Sequence, residues 1–206
     1  MSALYSWGKK KHHVSKGADP VGVQDTVPMG SHEPWPQGIL DAALASDSER
    51  LKLAVHLLYY TAQRIGDVCA MRWNDVRDGT ISVVQGKTGR PLTIRLHDNL
   101  VALLNATPKR GLTILTRADG GPVGDDAIRK EIQSFTSTFG THLVPHGLRK
   151  NAVIALLEAG CSVAETAAVS GQSFQMVEYY ARQRDQKLLS SAAILKWQNG
   201  AGTGKQ

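Results

Sequence analysis

The sequence predicts an α+β domain, mainly helical with one small antiparallel sheet, and three observations lead there. Apolar residues recur at helical spacing from about Trp35 onward. The period changes to two only across Ile81-Ser82-Val83 and Leu92-Thr93-Ile94-Arg95-Leu96. Asp78-Gly79, just ahead of the first of these runs, is a strong hairpin-turn dipeptide. With 206 residues, 42% of them apolar, the chain has material for one substantial core.

The elements follow in order. Residues 1–12 read as a short basic stretch, the end of a helix, with Leu4, Tyr5 and Trp7 ahead of Lys9-Lys10-Lys11-His12-His13. Residues 13–36 hold Pro20, Pro28, Pro34 and Pro36 among glycines without lasting periodicity, the mark of a linker. The expected division is therefore an N-terminal remnant and linker over 1–34 and a main domain with a helical tail over 35–206. Ile39, Leu40, Ala43 and Leu44 give a first helix; Leu51, Ala54, Val55, Leu58 and Tyr59 give a second from Glu49 to Ala62. A third runs from Arg64 towards Trp73 through Ile65, Val68, Cys69 and Met71. The two strands are joined by Gln85-Gly86-Lys87-Thr88-Gly89-Arg90-Pro91, whose glycines suit a tight exposed turn. Helices are then expected at about 97–105, 125–138, 146–159, 162–170, 174–185 and 187–196. Pro145 suits the first turn of the helix bearing His146, and Gly160 its C-terminal cap.

Composition narrows the function classes. No apolar run reaches membrane-span length, and Met1 to Lys11 lacks the apolar centre of a signal peptide, so a cytoplasmic protein without a membrane partner is expected. Cys69 and Cys161 lie among apolar neighbours without metal-ligand spacing and read as two reduced core thiols. A formal charge of +6 and a pI near 9.4 favour a polyanionic partner without identifying one.

A few side chains carry chemistry. Arg64 ends a nearly all-apolar run, so it lies near the core and needs an anion. Asp67, three residues on, either satisfies it or braces it for a phosphate. Lys87, between turn glycines, is either solvated charge or a general acid for an alkoxide leaving group. His146 and Arg149 share one helical face, placing an imidazole beside a guanidinium that grips two phosphate oxygens. Leu148, Val153, Leu156 and Leu157 form the buried face, leaving that pair a flank. Tyr179 and Tyr180 point about a quarter-turn apart, so at most one faces a given pocket as a nucleophile.

In this order the parts resemble the catalytic domain of the tyrosine recombinase (phage integrase) family, over roughly residues 35–185. Thr61-Ala62-Gln63-Arg64 matches its Thr-Gly-x-Arg-like turn, Met71-Arg72-Trp73-Asn74-Asp75 its Leu-x-Trp-x-Asp-like stretch, and Lys87-Thr88-Gly89 its hairpin Lys-Thr-Gly. His146-Gly147-Leu148-Arg149 matches the His-x-x-Arg box, and Met176-Val177-Glu178-Tyr179-Tyr180-Ala181 the end motif. There are two departures. Gln172 stands where the family carries a second His or Trp, and the step from there to the tyrosine is one residue short. The alignment makes Tyr180 the nucleophile, with Tyr179 the alternative.

The resemblance implies a site of Arg64, Lys87, His146, Arg149, Gln172 and Tyr180 that cleaves and rejoins double-stranded DNA through a 3′-phosphotyrosyl intermediate. It implies no metal and no other cofactor, because the covalent link keeps the bond energy. Arg64 and Arg149 would offset charge on the nonbridging oxygens, and His146 and Gln172 would add hydrogen bonds. His146 is the nearest base for the phenol, and Lys87 would protonate the leaving 5′-oxygen. A homo-oligomer, a tetramer, is expected only on DNA, with the amphipathic stretch Lys187 to Trp197 packing on a neighbouring protomer or in cis. Three other readings stay open: an integrase-like DNA-binding domain that no longer cuts, a type IB topoisomerase, and a helical protein whose basic charge is incidental.

Overall fold

The computed structural model describes residues 33–182 and, in the tail, residues 190, 191, 193–195, 197 and 198. Helix α1, Gln37–Leu44, buries Leu40 and Ala43. Helix α2, Glu49–Thr61, opens on Ser48, whose side chain accepts a hydrogen bond from the Leu51 N–H and so satisfies one of the free donors of the first turn. It ends at Ala62, which sits in the left-handed region at φ 53° and turns the chain sharply into Arg64. Helix α3, Ile65–Ala70, is short, and a 3-10 turn follows at Trp73–Asp75.

Three antiparallel strands come next, β1 at Val76–Arg77, β2 at Thr80–Val84 and β3 at Pro91–Arg95, in the order β1-β2-β3. The register from Thr80↔Arg95 to Val84↔Pro91 turns Ile81, Val83, Leu92 and Ile94 inward and their neighbours outward. The remaining helices are α4, Asp98–Ala106; α5, Asp125–Ser137; α6, Pro145–Glu158; α7, Val163–Ser170; and α8, Phe174–Arg182. A Ser162–Glu165 capping box starts α7, and Gly171 ends it at φ 65°.

The main core gathers residues of α1 to α5, the sheet and Leu148. A second cluster, Val153, Leu157, Ala167, Val177 and Tyr180, packs α6, α7 and α8 together, and it seats the tyrosine helix.

The mainly helical α+β architecture with one small antiparallel sheet is as the sequence predicts. Four details differ. The third helix stops at Ala70, and the chain reaches Trp73 through Met71, which is extended at ψ 133°. The Asp78-Gly79 turn has an unforeseen first strand, β1. Cys69 is buried, with its thiol pushed up to about 11 by that burial, but Cys161 is half-buried and lies outside both core clusters. Leu156 is half-buried, so the buried face of α6 is narrower than its sequence suggests. The expected N-terminal stretch and linker lie outside the described residues, apart from positions 33 and 34. The expected last helix is described only in part: residues 190, 191, 193–195, 197 and 198 are helical, with Ile194, Leu195 and Trp197 exposed.

Candidate active site

Arg149 lies at the centre. It is the second turn of α6 that carries it inward: only 1% of its surface is exposed, whereas His146, one turn earlier, is exposed. The shared face expected for this pair is therefore split, with the imidazole at the rim and the guanidinium in the interior. Helix α6 is held in this setting by Trp35. Its backbone N–H donates to Asn151 Oδ1 at 2.7 Å, its carbonyl accepts from Asn151 Nδ2 at 2.8 Å, and its indole N–H donates to the Val144 carbonyl at 2.9 Å.

Arg149 Nη2 donates to the Ser170 carbonyl at 2.8 Å, at the end of α7, while Nη1 is buried and meets no acceptor among the described residues. Burial, and then the nearby Arg64 guanidinium, pull its ionisation down to about 10, partly offset by Asp67 and Tyr180. A buried cation with an unused donor, near a second cation, has the chemistry to receive an anion. Arg64 is half-buried, and its Nη1 is 3.9 Å from Asp67 Oδ2, too far for a hydrogen bond. Asp67 spends its other oxygen on the Gly86 N–H at 2.8 Å, so it braces the β2–β3 turn while staying within ion-pair distance of Arg64.

Tyr180 and Tyr179 separate clearly. Tyr180 is 8% exposed and Tyr179 55%. Burial, and then Tyr179, raise the Tyr180 phenol above its ordinary value, while Arg149 pulls the other way. Lys150, itself buried, holds its ammonium 5.8 Å from the centroid of the Tyr180 ring. Gln172 follows the turn at Gly171; its backbone N–H reaches Ser170 Oγ at 3.3 Å, and its side-chain Oε1 is buried and meets no donor among the described residues. Lys87 is exposed on the β2–β3 turn, which is fastened to the arginine-bearing segments through Gly86 and Gln85.

The structure thus draws Arg64, Arg149, Tyr180 and the Gln172 turn into one locus. Lys87 and His146 are exposed, one on the adjoining β2–β3 turn and the other three residues before Arg149 on α6. Three nearby residues escaped the sequence reading, although register could have found them. Gln85 continues the inward positions Ile81 and Val83, and Gln63 follows directly on the Thr61-Ala62 turn. Lys150 lies three and seven residues before the buried Val153 and Leu157, on the same helical stripe. No group of His, Cys, Asp and Glu able to hold a metal ion occurs among the described residues.

Known proteins share this arrangement of elements. The fold is similar to a lambda integrase dimer bound to a COC′ core site, with a TM-score of 0.70 at 22% identity, covering 90% of this chain and 71% of that one. A lambda integrase tetramer bound to a Holliday junction gives 0.68 at 23%, covering 89% and 58%. XerA recombinase gives 0.63 at 18%, covering 81% and 64%. These likenesses concern the fold alone. In sequence, the integrase of Escherichia phage HK022 is 43% identical over 53 residues, 26% of this chain and 15% of that protein. The integrase of Escherichia phage lambda is 48% identical over 44 residues, 21% of this chain and 12% of that protein. The stretches matched are thus a small part of the length of these curated relatives. The phage integrase family profile, however, matches residues 37–187, most of the chain, and on that match this protein belongs to the phage integrase family of tyrosine recombinases.

Proposed function

We propose that this domain is the catalytic domain of a site-specific DNA recombinase that cuts and rejoins duplex DNA through Tyr180. The observation that carries this reading is the buried Arg149, whose Nη1 has no acceptor among the described residues while its charge reaches the Tyr180 phenol. In the proposed step the Tyr180 Oη attacks a phosphodiester phosphorus in line. The P–O3′ linkage is kept, the P–O5′ bond breaks, and a 3′-phosphotyrosyl ester forms. Arg149 Nη1 and Arg64 donate to the nonbridging oxygens, whose negative charge grows in the transition state. Gln172 adds a hydrogen bond but carries no proton. The phenol proton passes to His146 at the rim, and Lys87 supplies a proton to the leaving 5′-oxygen. Attack by a 5′-hydroxyl of another strand reverses the step and joins new partners.

The related lambda integrase structures hold DNA in a dimer and a tetramer, which supports duplex DNA as the partner here and assembly upon it. The test is a nicked suicide duplex carrying the cognate junction, with a denaturation-resistant adduct as readout. The adduct is expected in the wild type and in Tyr179→Phe and absent in Tyr180→Phe. The reverse pattern would move the nucleophile to Tyr179. Its absence in the wild type would favour the second reading, a DNA-binding domain that no longer cuts, to which Gln172 in place of the family's His or Trp lends weight. Transfer of the cut strand to a second duplex separates a recombinase from a topoisomerase.

A further inference from the structure

We propose that Gln85 is a positioning residue for the reaction: its carboxamide straps the turn bearing Lys87 to the two segments that set the arginine clamp. The inference rests on the reading of Lys87 as the acid for the leaving oxygen. Gln85 is completely buried, one residue past β2 and on the inward side with Ile81 and Val83. Its Nε2 donates to Gln63 Oε1 at 2.7 Å and to the Ser170 carbonyl at 3.1 Å. Its Oε1 accepts from Thr88 Oγ1 at 3.0 Å. The orientation of the amide follows from the network: Gln63 Nε2 is already committed to the carbonyls of Thr61 and Val169, so Gln63 presents only an acceptor to Gln85.

One side chain therefore joins three loops. Gln63 belongs to the turn that delivers Arg64, Ser170 to the turn that delivers Gln172, and Thr88 to the turn that carries Lys87. The Ser170 carbonyl is shared, since Arg149 Nη2 donates to it as well. Gln85 also closes the Lys87 turn through its backbone, donating to the Arg90 carbonyl at 3.0 Å and accepting from the Gly89 N–H at 2.8 Å. The approach to the neighbouring turn is so close that a Cβ on Gly171 would come within 2.5 Å of the Gln85 carboxamide, so glycine is required there for room as well as for its φ of +65°. A neutral group that both donates and accepts is what this junction needs. A carboxylate would turn oxygen towards two acceptors, and a thioether would leave Gln63 Oε1 and Thr88 Oγ1 without Gln85 as their partner.

If the strap serves Lys87, its loss should damage proton delivery to the leaving group rather than phosphate binding. A 5′-sulfur leaving group tests this, because a thiolate departs without a proton. Single-turnover adduct formation by the full chain is measured on matched duplexes with a bridging 5′-oxygen or 5′-sulfur. On oxygen, Gln85→Met is expected to be slower by about 10²-fold, the low end for a lost general acid, and Lys87→Ala at least as slow. On sulfur both should come within a few-fold of the wild type. Relief of Lys87→Ala but not of Gln85→Met overturns this inference alone. Relief of neither variant overturns the role of Lys87, and the inference with it. Should Gln85→Met not fold, Thr88→Val removes only the hydroxyl contact. A smaller oxygen-specific slowing supports the strap, and equal rates on both leaving groups overturn it.

Discussion

At the scale of single residues, Arg149 combines a structural cost with a proposed chemical use. Because burial and Arg64 hold its ionisation near 10, the folded chain binds this proton less tightly than the unfolded chain does. The associated destabilisation is complete below about pH 10 and eases only above it, so at neutral pH it acts in full. Arg149→Met should therefore stabilise the fold by roughly 1–3 kcal/mol in urea denaturation, as removal of poorly compensated buried charge does elsewhere. The Ser170 carbonyl would still have the Gln85 Nε2 donor. No gain in stability would mean that Arg149 is compensated within the protein. Arg149→Lys keeps the charge but loses the planar fork, and cleavage should slow by roughly 10²–10³-fold, the effect of one lost oxyanion donor. Wild-type cleavage rates would remove Arg149 from the clamp.

At the scale of elements, α6 is the part on which the site depends, and its setting depends on Gly147. A Cβ there would lie 2.5 Å from Trp35 Cδ1 and 2.7 Å from the Glu33 carbonyl oxygen, so the indole reaches Val144 only because residue 147 has no side chain. Gly147→Ala should gain helix propensity yet lose about 1–3 kcal/mol from overpacking, measured by urea denaturation. A more stable variant would show that the Trp35 segment yields without cost. The contact also gives the glycine inside the His146–Arg149 box a packing role against Trp35 and Glu33. The α7–α8 turn shows similar close fitting, since Gly171 makes room for Gln85 and Gln172 follows directly.

At the scale of the whole molecule, a net charge of +6 and the pairing of buried Arg149 with Arg64 point to the same class of ligand, an anion. Sulfate should raise Tm more than chloride does at equal ionic strength, because an anion seated on Arg149 and Arg64 binds only the folded chain. General salting effects act on the wild type and on Arg149→Met alike, so the prediction is a larger sulfate gain in the wild type. Equal gains would place no anion at this locus. No helix among the described residues is long and apolar enough to cross a membrane.

Much of the fold was readable from local pattern, because its helices are amphipathic and its two longer strands alternate. The two-residue β1 was not, since so short a strand has no measurable period and exists only by pairing with β2. The same holds for the bridges Arg72↔Thr113 and Thr116↔Pro122, which join segments whose sequences show no repeat. For the candidate site, local sequence establishes which chemical groups are on hand: two guanidiniums, an imidazole, a turn lysine, a tyrosine pair, and a glutamine where the family carries His or Trp. Only the tertiary structure decided that Arg149 is interior while His146 is at the rim, that Tyr180 is buried and Tyr179 is not, and that Asp67 and Gln85 tie the Lys87 turn to the arginines. The physical reason is that burial and hydrogen-bond satisfaction depend on partners distant in the chain, such as Gln85 and Ser170, 85 residues apart, and no local period records them.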